Sequence, residues 1–382
     1  MKKTYALARC VMENLTDARR LAMCIVHITD QCNAGCAYCY TTRARRAREE
    51  RAALLSTEEY RLIAQKIGRV TQLVIGGGEP FLRDDIAAIR KSFYQFAGVR
   101  IVSIATNGSL GRRALEVMNE LVAACPRAVI NLEISLDAAG AEHDRLRNFP
   151  GLFAVAGELA QAVCAGRRRL PSVNLVINTV ITSQSDESLR RLREYLGQQL
   201  GADNFFHNIQ FDHRRECIPP EEIGRYAQKK QLLCAGTRAV RSGIVARCIR
   251  QGYVDAIQRI LIEQRRRQAP VYRCNAGTKL CVLTADGRLS PCEPFLFEGI
   301  FPDFQAVNLR EHFYDVRAGF AAAAYRRALG FIRSRKCRQC YWSCAAITSL
   351  LYDPRNWPCL ISALRPKKSK RTTHEVHGVV CK

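Results

Sequence analysis

Six short apolar runs alternate with helix-period segments between residues 23 and 210, and that alternation limits the possible folds more than any other feature. The runs cover residues 23–28, 71–75, 100–105, 129–135, 173–181 and 204–210. Between them, Ser56 with Glu59 forms a capping box that opens the first helix. Asp84 or Asp85 caps a second helix running to about Gln95. Further helices are expected over 111–125, 151–164 and 185–199, the last closing at Gly201. Repeated strand–helix units place their strands parallel, with right-handed crossovers. The class is therefore α/β, and ligands in such folds gather beyond the C-terminal ends of the strands.

The polar exceptions of the chain cluster at those ends. Cys32, Cys36 and Cys39 follow the first run with the spacing C-x3-C-x2-C. Soft thiolates select iron–sulfur clusters or zinc. Three ligands where a cluster wants four leave one metal position open, which in zinc sites marks catalysis. Taken alone, the triplet also fits a zinc knuckle or buried thiols. Gly76-Gly77-Gly78-Glu79-Pro80 follows the second run, where glycines permit close backbone approach. Thr106-Asn107-Gly108 ends the third run and Ser135-Leu136-Asp137 the fourth, with His143-Asp144-x-x-Arg147 just beyond.

In this order and placement, the motifs across residues 32–147 resemble the radical S-adenosylmethionine (radical SAM) superfamily. The resemblance implies a partial (β/α)6 TIM-like barrel. It also implies a [4Fe–4S] cluster on Cys32, Cys36 and Cys39, whose open iron chelates S-adenosylmethionine. Reductive cleavage of that cofactor would yield a 5′-deoxyadenosyl radical that abstracts a substrate hydrogen. By the same resemblance, Tyr38, Gly77, Gly78, Glu79, Thr106, Asn107, Ser135, Asp137 and Arg147 contact the cofactor. Asn178, in the fifth run, faces the adenosine or is a satisfied core amide. An electron donor such as a flavodoxin or ferredoxin is implied as a partner.

Residues 274–359 hold seven further cysteines, at 274, 281, 292, 337, 340, 344 and 359. A hairpin is expected around Ala285-Asp286-Gly287, since Asp-Gly favours a tight turn. The frame resembles the SPASM and Twitch extensions of radical SAM enzymes, which hold auxiliary [4Fe–4S] clusters. Position 346 is alanine where the full two-cluster pattern has cysteine, so one auxiliary cluster is expected. Its ligands would come from Cys274, Cys292, Cys337, Cys340 and Cys344, with Cys281 and Cys359 less clearly involved. A structural zinc site is the other reading of the paired cysteines. With few long apolar segments, metal ligation is expected to hold this unit together. The expected organisation is a radical SAM core over 1–212, a basic helical connector over 213–270, an auxiliary domain over 271–365 and a disordered basic tail over 366–382. The remaining cysteines (10, 24, 125, 164, 217, 234, 248 and 381) read as small buried hydrophobes or as incidental.

Lys and Arg number 59 against 35 Asp and Glu, a net charge of +24 that reads first as a solvated basic surface. No stretch reaches the roughly 18 apolar residues that span a bilayer, and Arg9 and Glu13 interrupt any signal-peptide core. Eighteen cysteines without a secretion signal point to a reducing, cytoplasmic setting. A basic chain suits nucleic acid, yet no basic strand interleaved with aromatics accompanies the charge. With so few residues before Cys32, a leader-peptide-binding domain ahead of the barrel is not expected. A peptide or protein substrate is expected first, with a small molecule such as a sugar, aminocyclitol or tetrapyrrole as the alternative. A non-catalytic iron–sulfur scaffold is the competing class. Asp212 and His213, past the sixth run, are the residues available as a base.

Overall fold

The computed structural model describes residues 2–41, 53–201, 205–211, 220–234, 244–297, 300–301, 304–337, 340 and 342–364. Asp212, His213, Cys217, Cys381 and the basic tail lie outside the described residues, as do the side chains of Cys234 and Cys248.

Nine strands form one open sheet in the order β6-β5-β4-β3-β2-β1-β7-β8-β9. They are β1 (Leu21–Thr29), β2 (Val70–Gly77), β3 (Ile101–Thr106), β4 (Val129–Ser135), β5 (Val173–Ile181), β6 (Phe205–Phe211), β7 (Leu280–Leu283), β8 (Arg288–Ser290) and β9 (Val307–Asn308). The six expected strands are present and pair in parallel in chain order. The alternation implied this parallel sheet, and its open form is consistent with the partial barrel that the resemblance implied. Its helices are α1 (Lys2–Thr16), α2 (Thr57–Lys66), α3 (Ile86–Phe96), α4 (Gly111–Ala124), α5 (Ala141–Arg147), α6 (Leu152–Ala165) and α7 (Asp186–Tyr195). Then follow α8 (Pro220–Cys234), α9 (Ile244–Arg267), α10 (Glu293–Phe297), α11 (Val316–Ala321), α12 (Ala323–Arg333), α13 (Ser343–Tyr352) and α14 (Trp357–Leu364). No single helix among the described residues is long and apolar enough to cross a membrane.

Strand periodicity sorts side chains between two faces. Outward residues such as Val26, Ile28, Leu73, Ile75, Val102 and Ile104 pack under the helices as one large core. The Ser56–Glu59 capping box opens α2 as expected. Asp85 sits at the start of α3 without a capping hydrogen bond, because its carboxylate binds Arg83 at 2.7 Å and also receives Thr57 Oγ1.

The inward face departs from the sequence reading. Met23 and Ile25 of β1 pack with Leu280 and Val282 of β7, then with Phe295, Ala328, Ile332 and Ala345. β7 pairs in parallel with β1, and the expected hairpin joins it to β8. The cysteine-rich segment therefore extends the barrel sheet and covers the inner face of β1, where a unit with little core was expected. Helix α9, read as connector, shares a core with α13 and α14 through Ala256, Ile257, Ile260, Leu350, Leu360 and Ala363. A bidentate ion pair adds a further tie, with Arg310 Nε 2.7 Å from Glu59 Oε1.

Candidate functional site

The loop after β1 carries Cys32, Cys36 and Cys39, and four neighbouring elements hold it over the C-terminal ends of the strands. β2 supplies two backbone bonds, Gly78 N to Thr29 O and Glu79 N to Gln31 O, both 2.8 Å. β3 supplies Asn107, whose Nδ2 donates to Asn33 Oδ1 at 2.9 Å and lies 3.9 Å from Cys32 Sγ. Helix α5 contributes the Arg147 carbonyl to Gly35 N at 3.0 Å. The end of β4 contributes Asp137, which accepts a bond from the Tyr38 hydroxyl.

The glycines serve this loop. A Cβ on Gly78 would stand 1.9 Å from Gln31 O, and one on Gly77, at φ +120°, would stand 2.3 Å from Thr29 O. Both contacts are with backbone that has no room to yield. Close approach was expected toward a ligand; the neighbour found is the cysteine loop itself. Gly76 differs, since a Cβ there meets nothing within 4 Å.

Glu79 is fully buried and accepts from Thr106 Oγ1 at 2.8 Å, Asn107 N at 2.7 Å and Phe81 N at 3.2 Å. Burial nevertheless dominates and lifts its carboxyl to about 6, the three donors pulling it back down. Asp137 is likewise fully buried. Its Oδ2 meets Arg147 Nε and Nη2 at 2.8 Å, and its Oδ1 accepts from Val180 N at 2.8 Å. Arg147 reaches on to Cys36 Sγ at 3.9 Å and lies over the Tyr38 ring. His143 Nδ1 accepts from Asp137 N at 3.1 Å, and burial lowers this imidazole to about 4, so it is neutral near pH 7. Glu79, Thr106, Asn107, Asp137 and Arg147, expected at the cofactor, are thus engaged with one another and with the loop. Ser135 stays half-buried beside Asn178 on the next strand.

Burial pushes the Cys36 thiol up to about 11, and charge on Cys39 or Cys32 adds to that, which places the three thiols as neighbours. Among the described residues, no three His, Cys, Asp or Glu side chains are arranged to hold a single metal ion. A four-iron cluster makes a different demand, one thiolate at each of several irons. Three adjacent thiols clamped by backbone and amide donors fit that demand.

In the C-terminal segment the cysteines divide. The thiols bearing most on Cys292 are Cys337, Cys340 and Cys274, and the same three bear on the buried Tyr272. Burial raises the Cys344 thiol, with Glu293 and Glu133 adding to the rise, and its side chain packs in the same cluster as Cys274, Cys292 and Cys340. Cys281 stacks against Cys24 across the β1–β7 pair with 3.7 Å between sulfurs, inside the main core. Cys359 is buried in the apolar cluster of α9, α13 and α14.

Sequence reasoning missed a polar group inside the barrel. His27 Nε2 lies 3.1 Å from Glu293 Oε1, which also accepts from the Tyr40 hydroxyl at 3.0 Å. Phe297 and Trp342 pack on Tyr40 with centroids at 5.2 and 4.9 Å. Opposite, Asn178 Nδ2 donates to Glu133 Oε2, and Asn208 Nδ2 to Asn178 Oδ1, both at 2.9 Å. A histidine at the inward position of an otherwise apolar strand was the available signal.

Residues 26–197 match the protein family described as the Radical SAM superfamily. A pre-heme d1 synthase of Dinoroseobacter shibae is 30% identical over 48% of this chain and 42% of that protein. A GTP 3′,8-cyclase of Erythrobacter litoralis is 29% identical over 43% of this chain and 47% of that protein. The chain thus matches less than half the length of each of these two relatives. Among solved structures, anSMEcpe with bound S-adenosylmethionine superposes with TM-score 0.55 at 15% identity, over 90% of this chain and 99% of that one. Streptococcus suis SuiB bound to its precursor peptide SuiA superposes with TM-score 0.53 at 16% identity, over 86% of this chain and 70% of that one. These likenesses show a shared fold.

Proposed function

Residues 26–197 form a radical SAM domain, and from that premise we propose that the chain is an enzyme that cleaves S-adenosylmethionine reductively and oxidises or otherwise modifies a substrate held inside the barrel. The observation that carries this reading is the clamped loop of Cys32, Cys36 and Cys39 above a polar lumen. When bound there, a four-iron cluster with S-adenosylmethionine supplies a carbon-centred radical able to remove a substrate hydrogen. The residues do the rest. Arg147 and Asn107 lie against two of the cysteine sulfurs; Glu79 holds Asn107 at the end of β3, and Asp137 holds the Arg147 guanidinium at the end of α5. Ser135 and Gly76 leave the lumen side accessible to the cofactor. Aromatic packing by Tyr40, Phe297 and Trp342 excludes water from one wall.

Cys274, Cys292, Cys337 and Cys340 would hold one auxiliary four-iron cluster, which would supply an electron-accepting group. Cys344, packed in the same cluster as Cys274, Cys292 and Cys340, is the further candidate ligand. A peptide or protein remains the first reading of the substrate, in keeping with a fold shared with a structure solved around its precursor peptide. A small molecule is the second, favoured by the sequence likeness to a GTP 3′,8-cyclase.

Anaerobically reconstituted protein given dithionite and S-adenosylmethionine is expected to release 5′-deoxyadenosine without added substrate. Chromatographic quantification checks this. No release above a protein-free control would support the non-catalytic scaffold instead.

A further inference from the structure

Residues 316–352 hold six Arg and one Lys but no Asp or Glu. Five of these cations, Arg326, Arg327, Arg333, Arg335 and Lys336, are exposed and take part in no ion pair among the described residues. Other basic helices of the surface neutralise themselves within a turn, Arg61 with Glu58, Arg191 with Glu187 at 3.1 Å and Arg267 with Glu263 at 2.7 Å. No such pairing is open to this segment, because its sequence holds no carboxylate. Arg326 and Arg333 lie about two turns apart on one face of α12, and Gly330 between them carries no side chain.

The opposite face of the same helix packs on cysteines. Ala328 and Ile332 are buried in the cluster that includes Cys274, Cys292, Cys340 and Cys344. Lys336 immediately precedes Cys337, and Cys337 and Cys340 are only half-buried. Gln264 Nε2 donates to the Cys340 carbonyl at 2.7 Å, which brings the basic last turn of α9, Arg265 to Arg267, toward the same cysteines. Basic surface and cysteine cluster are thus separated by one helix, about 10 Å thick. Among the described residues of this segment no large apolar side chain is exposed. The face therefore offers bases nothing to stack on and gives an obligate interface no apolar centre. Uncompensated positive charge without such a centre suits transient docking steered by charge, the mode of small electron carriers.

We propose that this face, formed by α12 and the turn after it, docks an acidic protein that carries a one-electron redox group, of the flavodoxin or ferredoxin kind. The proposal rests on the reading that Cys274, Cys292, Cys337 and Cys340 hold an iron–sulfur cluster, and it adds where a carrier meets the chain. Arg326, Arg333 and Lys336 attract the carrier's acidic surface, and the docked carrier stands one helix away from the cysteine set.

The test titrates the holoenzyme anaerobically by calorimetry with a purified flavodoxin, with a redox-inactive protein of equal net charge and with a single-stranded RNA. Flavodoxin is expected to bind most tightly, with an affinity that falls as salt rises. Arg326→Glu/Arg333→Glu is expected to weaken it about tenfold. Arg112→Glu/Arg191→Glu, the same change of charge placed on exposed side chains of α4 and α7, should leave it unaltered. Equal loss in the two variants overturns the proposal, as does absence of flavodoxin binding. Binding of the redox-inactive protein or of the RNA as tightly as flavodoxin overturns it too. Should Arg326→Glu/Arg333→Glu not fold, Arg326→Gln/Arg333→Gln is expected to show a smaller loss in the same direction. Dithionite-driven release of 5′-deoxyadenosine needs no protein carrier and should not differ between wild type and the Arg326→Glu/Arg333→Glu variant. Iron is scored separately: about four irons per wild-type chain would remove the auxiliary-cluster reading, whereas docking stands or falls on the titration.

Discussion

Gly78→Ala is expected to abolish the first iron–sulfur site while the barrel still folds. The added methyl would stand 1.9 Å from Gln31 O and 2.4 Å from its carbonyl carbon. Neither is the movable end of a side chain, so the loop must shift, and the bonds Gly78 N–Thr29 O and Glu79 N–Gln31 O go with it. Iron should fall by about four per chain, with 5′-deoxyadenosine release down at least about 100-fold, since misplaced reacting groups cost on that order. Gly76→Ala, with no atom within 4 Å of the new methyl, is the contrasting variant and should keep its iron. Iron assay and circular dichroism of the two variants check both statements. Unchanged iron in Gly78→Ala would show that the glycine serves something other than the loop.

The second large effect lies at Asp137. Its buried carboxylate meets the Arg147 guanidinium in a two-pronged pair and also takes bonds from Tyr38 and Val180 N. Removing one partner of a buried pair strands the other charge and costs about 3–5 kcal/mol. Asp137→Ala should therefore lower the unfolding free energy of the apoprotein by that amount in urea titration. Replacing both residues with apolar ones of similar volume, Asp137→Leu with Arg147→Met, should recover much of the loss, since an apolar pair leaves no buried charge. The double variant should still bind iron poorly, because Tyr38 and Cys36 lose their anchors. Equal stability losses in the single and double variants would mean that the pair stabilises through packing alone.

The strands were legible as short apolar runs between helix-period segments: β1 is buried along its whole length, β4 alternates, and β4 and β5 begin and end where the runs do. Ser56 and Glu59 announced α2, and Asp286-Gly287 announced the β7–β8 hairpin, because both signals are local. Helix α5 was not foreseen: its seven residues, AEHDRLR, are too few and too polar to show an apolar face. Nor was the docking of β7 on β1, a pairing between segments more than 250 residues apart that no local pattern encodes. The three-cysteine loop was legible as a motif, while the work of its companions was not. Glu79, Asp137 and Arg147 read as ligand contacts, and the structure engages them in holding the loop. The His27–Glu293 contact joins residues 266 apart and could emerge only from the fold.

Iron stoichiometry with Mössbauer spectroscopy, on wild type and on the Cys32→Ala/Cys36→Ala/Cys39→Ala variant, tests most directly whether this loop holds the catalytic cluster. About eight irons per chain in two four-iron species should fall to about four in one. An iron count that does not change on losing all three thiols would contradict the account.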